Sequence, residues 1–141
     1  MASGNNFQHF VSAQRDTFDD ALTEVQNGRK TSHWMWFIFP QLGGLGSSEM
    51  SKKFAIRDLE EAAGYLNDEV TGPKLIQITS LLLLQNNKTA HDIFGSPDDM
   101  KLRSSMTLFS LLPDANPVFQ QVLDKYFDGE KDPRTLELLA L

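Results

Sequence analysis

Two stretches of the chain concentrate side chains that could bind or transform a substrate. The first begins with two cations, Arg29 and Lys30, followed by His33, the apolar run from Trp34 to Phe39, and Gln41. It continues as Gly43-Gly44-Leu45-Gly46-Ser47-Ser48 into a predicted helix. A histidine at the edge of an apolar run could act as general acid or base, because imidazole titrates near neutrality. It could equally donate to a carbonyl and fix the segment. Trp34 and Trp36 are expected in the core rather than as ligand platforms. Clustered glycines let backbone N–H groups converge, and a helix start favours anions, with Lys52 and Lys53 one turn further on. This is neither a Walker loop nor a dinucleotide fingerprint, and a turn that merely caps a helix accounts for it more simply.

The second stretch is Asp98-Asp99-Met100-Lys101-Leu102-Arg103-Ser104-Ser105-Met106-Thr107. On a helix Lys101, Ser104 and Ser105 share a face, and Asp99 with Arg103 forms an i, i+4 pair worth a few tenths of a kcal/mol. Capping and that pair explain the acids and Arg103. They do not explain Ser104 and Thr107, since small hydroxyls are not preferred inside helices. A lysine-activated serine is conceivable here but nothing specifies it. No set of histidines and carboxylates has metal-ligand spacing, so no metal is expected, and the sequence names no cofactor.

Charge supports the first stretch. The chain has 141 residues and a net charge of −6. Within residues 28–57, however, Arg29, Lys30, Lys52, Lys53 and Arg57 face Glu49 alone, a net of +4. A basic segment in an acidic chain suggests a focused anion site. The net charge of −6 excludes a whole-surface nucleic-acid footprint. With no cysteine, disulfides, thiolate metal sites and cysteine nucleophiles are excluded. The polar N-terminus has no signal-peptide core, and the apolar stretches 34–39 and 81–84 fall far short of a membrane span. A cytoplasmic protein without membrane association is expected; no oligomeric state is indicated.

The elements that must position these groups are helical. Phe7, Phe10, Val11, Phe18, Ala21, Leu22 and Val25 make one amphipathic stripe, closed by Gly28. A second helix is predicted from Ser48 to Leu66, and a third from Pro73 through the leucines at 81–84, which imply burial nearly all round. A short turn at residues 89–94 precedes three cap-then-proline signatures at Ser96-Pro97, Asn116-Pro117 and Asp132-Pro133. Periodicity does not separate strand from helix for residues 34–39; Ser32 as an N-cap favours a short helix ending before Pro40. The expectation is a single all-α domain over residues 1–141, with about six to seven helices and a buried aromatic segment at 34–39.

The runs 28–42 and 93–109 together resemble domain-of-unknown-function family 1810, small and mainly bacterial proteins sometimes mislabelled calpastatin. The resemblance extends to Phe10-Val11 with Ala13-Gln14, to Phe54-Ala55-Ile56, to Tyr65-Leu66 and to Thr135-Leu136 with Leu138-Leu139, and so covers the whole chain. It implies a predominantly α-helical single domain and brings no activity and no catalytic residue. The calpastatin label carries no weight, because calpain inhibition is the work of disordered repeats and this composition is that of a folded chain.

Three readings follow. The first is a cytoplasmic domain binding a small anionic ligand, a nucleotide or phosphorylated metabolite. Arg29, Lys30, His33, Gly43, Gly44, Gly46 and Ser47 would hold the anion, with Gln41, Asp98, Asp99, Lys101 and Ser104 on the other wall. The second is a hydrolase or glycosidase using His33 with Asp98 or Asp99. The third is a structural or partner-binding domain, which requires Trp34, Trp36, Met100 and Met106 to be fully buried.

Overall fold

Helices follow the apolar stripes but are shorter than the stripes suggest. The computed structural model describes residues 7–141; the polar segment 1–6, read above for targeting, lies outside them. The stripe from Phe7 to Val25 makes two helices, α1 (Gln8–Arg15) and α2 (Phe18–Gln26). A turn separates them, with the Thr17 N–H on the Gln14 carbonyl at 3.1 Å. The break lets Phe10 and Gln14 on one side, and Phe18, Ala21 and Val25 on the other, all reach the interior. Gly28 ends α2 in the left-handed region at φ +76°, where a Cβ would also meet Lys88 Cε at 2.9 Å.

The aromatic segment forms the single turn α3 (Met35–Ile38). Its cap position is Trp34 rather than Ser32, because the Ser32 hydroxyl is taken by Glu24 at 2.6 Å. The helix expected from Ser48 to Leu66 is split into α4 (Glu49–Lys53) and α5 (Leu59–Asn67). Phe54 and Ile56 are both buried, and residues two apart share a side only on extended backbone. Ile56 bridges to Leu42 in parallel, with Gly43 N–H on the Ile56 carbonyl at 2.8 Å.

Helix α6 (Thr71–Leu82) starts before Pro73 because the Asp68 carboxylate accepts the N–H groups of Val70 and Thr71, each at 3.0 Å. It ends inside the leucine run, so Leu84 stands 71% exposed and the predicted all-round burial fails. Next come α7 (Ala90–Phe94), opened by a Thr89/Asp92 capping box, and α8 (Asp98–Ser110). The Ser96–Pro97 peptide is cis, and Pro97, not Ser96, occupies the cap position of α8. Pro117, not Asn116, likewise occupies the cap position of α9 (Val118–Phe127), although Asn116 Oδ1 accepts the Val118 N–H, and Asp132 caps α10 (Pro133–Leu138) as expected. The described residues thus form an all-α fold of ten helices, six of them seven residues or longer, around one hydrophobic core.

Helix α8 runs through that core. Its Leu102, Met106 and Phe109 are fully buried, and the Phe109 ring lies 5.7 Å from Tyr65 and 5.5 Å from Phe119. Its hydroxyls serve a clasp for the C-terminal segment. The Asp132 N–H donates to Thr107 Oγ1 at 2.8 Å, and Ser104 Oγ lies 3.0 Å from Asp132 Oδ2. Arg103 donates to the carbonyls of Glu130 and Lys131 at 3.0 and 2.9 Å, and so does not make the expected pair with Asp99. Asp132→Ala removes the cap and the Ser104 partner together; a loss of about 1–2 kcal/mol is expected. A urea melt checks this: the midpoint should fall with its slope unchanged, and an unmoved midpoint contradicts it.

Candidate functional site

The loop between α2 and α3 carries the first candidate residues, and one carboxylate shapes it. Glu24 Oε1 accepts the N–H groups of Thr31 and Ser32 at 2.7 and 2.9 Å and the Trp34 indole N–H at 2.9 Å. Its Oε2 accepts the Ser32 hydroxyl. Burial pushes the Glu24 carboxyl up, but the bonds from Ser32, Thr31 and Trp34 outweigh it and hold the group at about 2. Sequence reasoning missed Glu24, since it looks like any solvent-facing acid on an amphipathic helix.

This loop delivers Lys30 to the first turn of α8. Lys30 Nζ lies 2.8 Å from Asp98 Oδ2 and 2.6 Å from the Ser32 carbonyl, with its side chain only 7% exposed. Lys101, one turn along α8, stands 3.5 Å from Asp98 Oδ1. Each ammonium also sits over an indole: Lys30 at 5.0 Å from the Trp34 centroid, Lys101 at 5.3 Å from that of Trp36. One carboxylate is therefore gripped by two cations of unequal freedom, one buried and one more open.

Around them is a cleft of about 410 Å³, bordered by Lys30, Ser32, His33, Trp36, Asp98 and Lys101. A second, of about 170 Å³, is bordered by Trp36, Gln41, Gly43, Gly44, Gly46 and Lys52. A third, of about 240 Å³, has Gln41, Gly46, Lys101, Ser104 and Arg134 on its walls. The first two meet at Trp36, the second and third at Gln41, Gly46 and Ser51, and the first and third at Pro97 and Lys101, so the three adjoin as one groove. Its walls carry Lys30, Lys52, Lys101 and Arg134 against Asp98 and Asp132, a net of +2 in a chain of −6. That charge comes from side chains: α4, behind the glycines, has only five residues and its first turn is closed by Ser48 on the Ser51 N–H.

Most of the sequence candidates meet here. Lys30, His33, Asp98 and Lys101 share the largest of the three clefts, and Gln41, Gly43, Gly44, Gly46 and Ser104 line the adjoining two. Arg29 and Ser47 are exposed and border none of the three. Asp99 turns to His91 at 3.5 Å, away from Lys101. Ser104 faces Asp132 rather than a lysine. Trp34 and Met106 are buried, whereas Trp36 is half-buried and Met100 is 47% exposed, so full burial of all four does not hold. Among the described residues no group of three His, Asp or Glu side chains could hold a metal ion, and no helix is long and apolar enough to cross a membrane.

A family model described as a protein of unknown function (DUF1810) matches residues 4–139. The crystal structure of the conserved hypothetical protein Rv1873 from Mycobacterium tuberculosis is similar, with 46% sequence identity and a TM-score of 0.93 over 96% of each chain. No curated protein matches the sequence at a significant level.

Proposed function

The chain belongs to the DUF1810 family of proteins of unknown function, and we propose that it binds a small anionic ligand, a nucleotide or phosphorylated metabolite, in the groove between residues 30–46 and α8. The observation that carries this reading is the convergence of Lys30 and Lys101 on one carboxylate inside a cleft. Lys30 is anchored by two short contacts and supplies a fixed positive field. Lys101 is held at only 3.5 Å and can exchange Asp98 for an incoming anion. The volume of about 410 Å³ lies within the range of roughly 300–1,000 Å³ typical of small-molecule sites.

The hydrolase reading has one observation in its favour: His33 and Asp98 border the same cleft. Against it, both Asp98 oxygens face ammonium groups, so neither is free to shuttle a proton with His33. Binding is the better account of the arrangement.

Thermal melts with AMP, ADP and phosphorylated sugars test it. At ten times Kd a ligand should stabilise the domain by about 1.4 kcal/mol. Lys101→Met should weaken binding about tenfold, by removing one charge-assisted bond. The wild-type affinity should also fall as salt rises, because the groove is open to solvent. Unchanged melting with all of these compounds overturns the reading.

A further inference from the structure

The 34–39 segment buries every side chain but one. Trp34, Met35, Phe37, Ile38 and Phe39 are at most 7% exposed, whereas Trp36 is only partly buried and walls two of the three sub-clefts. Part of one indole is thereby left to the groove rather than to the core. The cation over this ring is Lys101, the looser of the two partners of Asp98. An anionic group that draws Lys101 towards itself therefore uncovers an aromatic face.

Beyond Trp36 the groove wall is less charged: Gln41 and the glycines at 43, 44 and 46 carry none, and Lys52 is the one ionic side chain on that cleft. The Gln41 side-chain amide has no hydrogen-bond partner among the described residues, although its backbone carbonyl is taken by the Ile56 N–H. A free primary amide offers a donor and an acceptor side by side, which suits the edge of a nitrogen heterocycle. Cation, half-buried ring and free amide follow one another along a single groove.

We propose that the ligand is a nucleoside monophosphate, its base stacked on Trp36 with an edge towards Gln41 and its phosphate held by Lys101 beside Lys30. This rests on the anion-binding reading above and narrows it. A sugar phosphate would satisfy the cations but leave the indole bare. Stacking a base on an aromatic side chain strengthens binding by about tenfold or more.

The test is calorimetric titration of the whole protein with AMP and with ribose 5-phosphate, for the wild type, Trp36→Leu and Gln41→Ala. AMP should bind the wild type about tenfold or more tightly than ribose 5-phosphate. Trp36→Leu should bring the two within about twofold, by weakening AMP far more than ribose 5-phosphate. Gln41→Ala lies on the groove wall and keeps the test alive if Trp36→Leu fails to fold; it should weaken AMP by about threefold and leave ribose 5-phosphate alone. Equal wild-type affinities overturn the nucleotide assignment while leaving anion binding intact. An AMP preference that survives both substitutions overturns the roles of Trp36 and Gln41. If neither compound binds, the anion-binding reading falls and this one with it.

Discussion

Glu24→Gln will cost the domain about 2 kcal/mol at neutral pH and almost nothing near pH 2. The carboxylate accepts four hydrogen bonds from Thr31, Ser32 and Trp34. A carboxamide keeps one acceptor and turns an N–H₂ group towards donors. The sign follows from the titration. The folded carboxyl, at about 2, lies below the ordinary value of 4.5. Its contribution is therefore complete above that ordinary value and is lost as pH falls towards about 2. Partial solvent exposure screens the charge and keeps the figure below the full shift. Asp68 and Asp92 are also held below their ordinary values, so the wild type has other acid-sensitive terms. The difference between wild type and variant isolates Glu24. Urea midpoints measured from neutral pH down to about pH 3 should draw steadily closer; parallel curves would contradict the assignment. Because Glu24 holds the loop that carries Lys30, ligand affinity should fall with stability.

Asp98→Asn should be more damaging still, at about 3 kcal/mol. Removing one partner of a buried pair leaves the other charge uncompensated, and Lys30 is 7% exposed with only the Ser32 carbonyl and the Trp34 ring left beside it. Lys30→Met combined with Asp98→Asn should recover much of the loss, because an apolar side chain no longer needs a counter-charge. Phosphate should partly stabilise Asp98→Asn by standing in for the missing carboxylate. A double variant as unstable as the sum of its parts would show that Lys30 and Asp98 do not depend on each other.

These two acids mark where the sequence is readable and where it is not. Gly28, Asn116 and Asp132 were legible as punctuation because each acts through backbone within a few residues of itself. The all-α class followed from the apolar stripes in the same way. The breaks at Asp16–Thr17 and at residues 54–58 were not legible, since the apolar spacing runs on across the first and nearly so across the second. What breaks them is tertiary: two helices must wrap one core, and Ile56 must reach Leu42. The groove was foreshadowed by the basic segment and by the polar run after Pro97. The pairing itself, Lys30 with Asp98 across 68 positions, has no local signature. Asp99 shows the converse. It sits beside Asp98 with the same chemistry, yet one step along a helix rotates it towards His91.

Helix α8 carries three tasks on one short cylinder: the groove in its first turn, the core along its middle, and the clasp for the C-terminal segment on its flank. Of its thirteen residues only Met100 is exposed. Tolerance to substitution should be correspondingly narrow. In a saturation library scored for folded protein, positions 98–110 would form a nearly unbroken intolerant block with one permissive gap at 100. Drift in this family would have to pass around the helix, through the loops that face it, rather than through the helix itself.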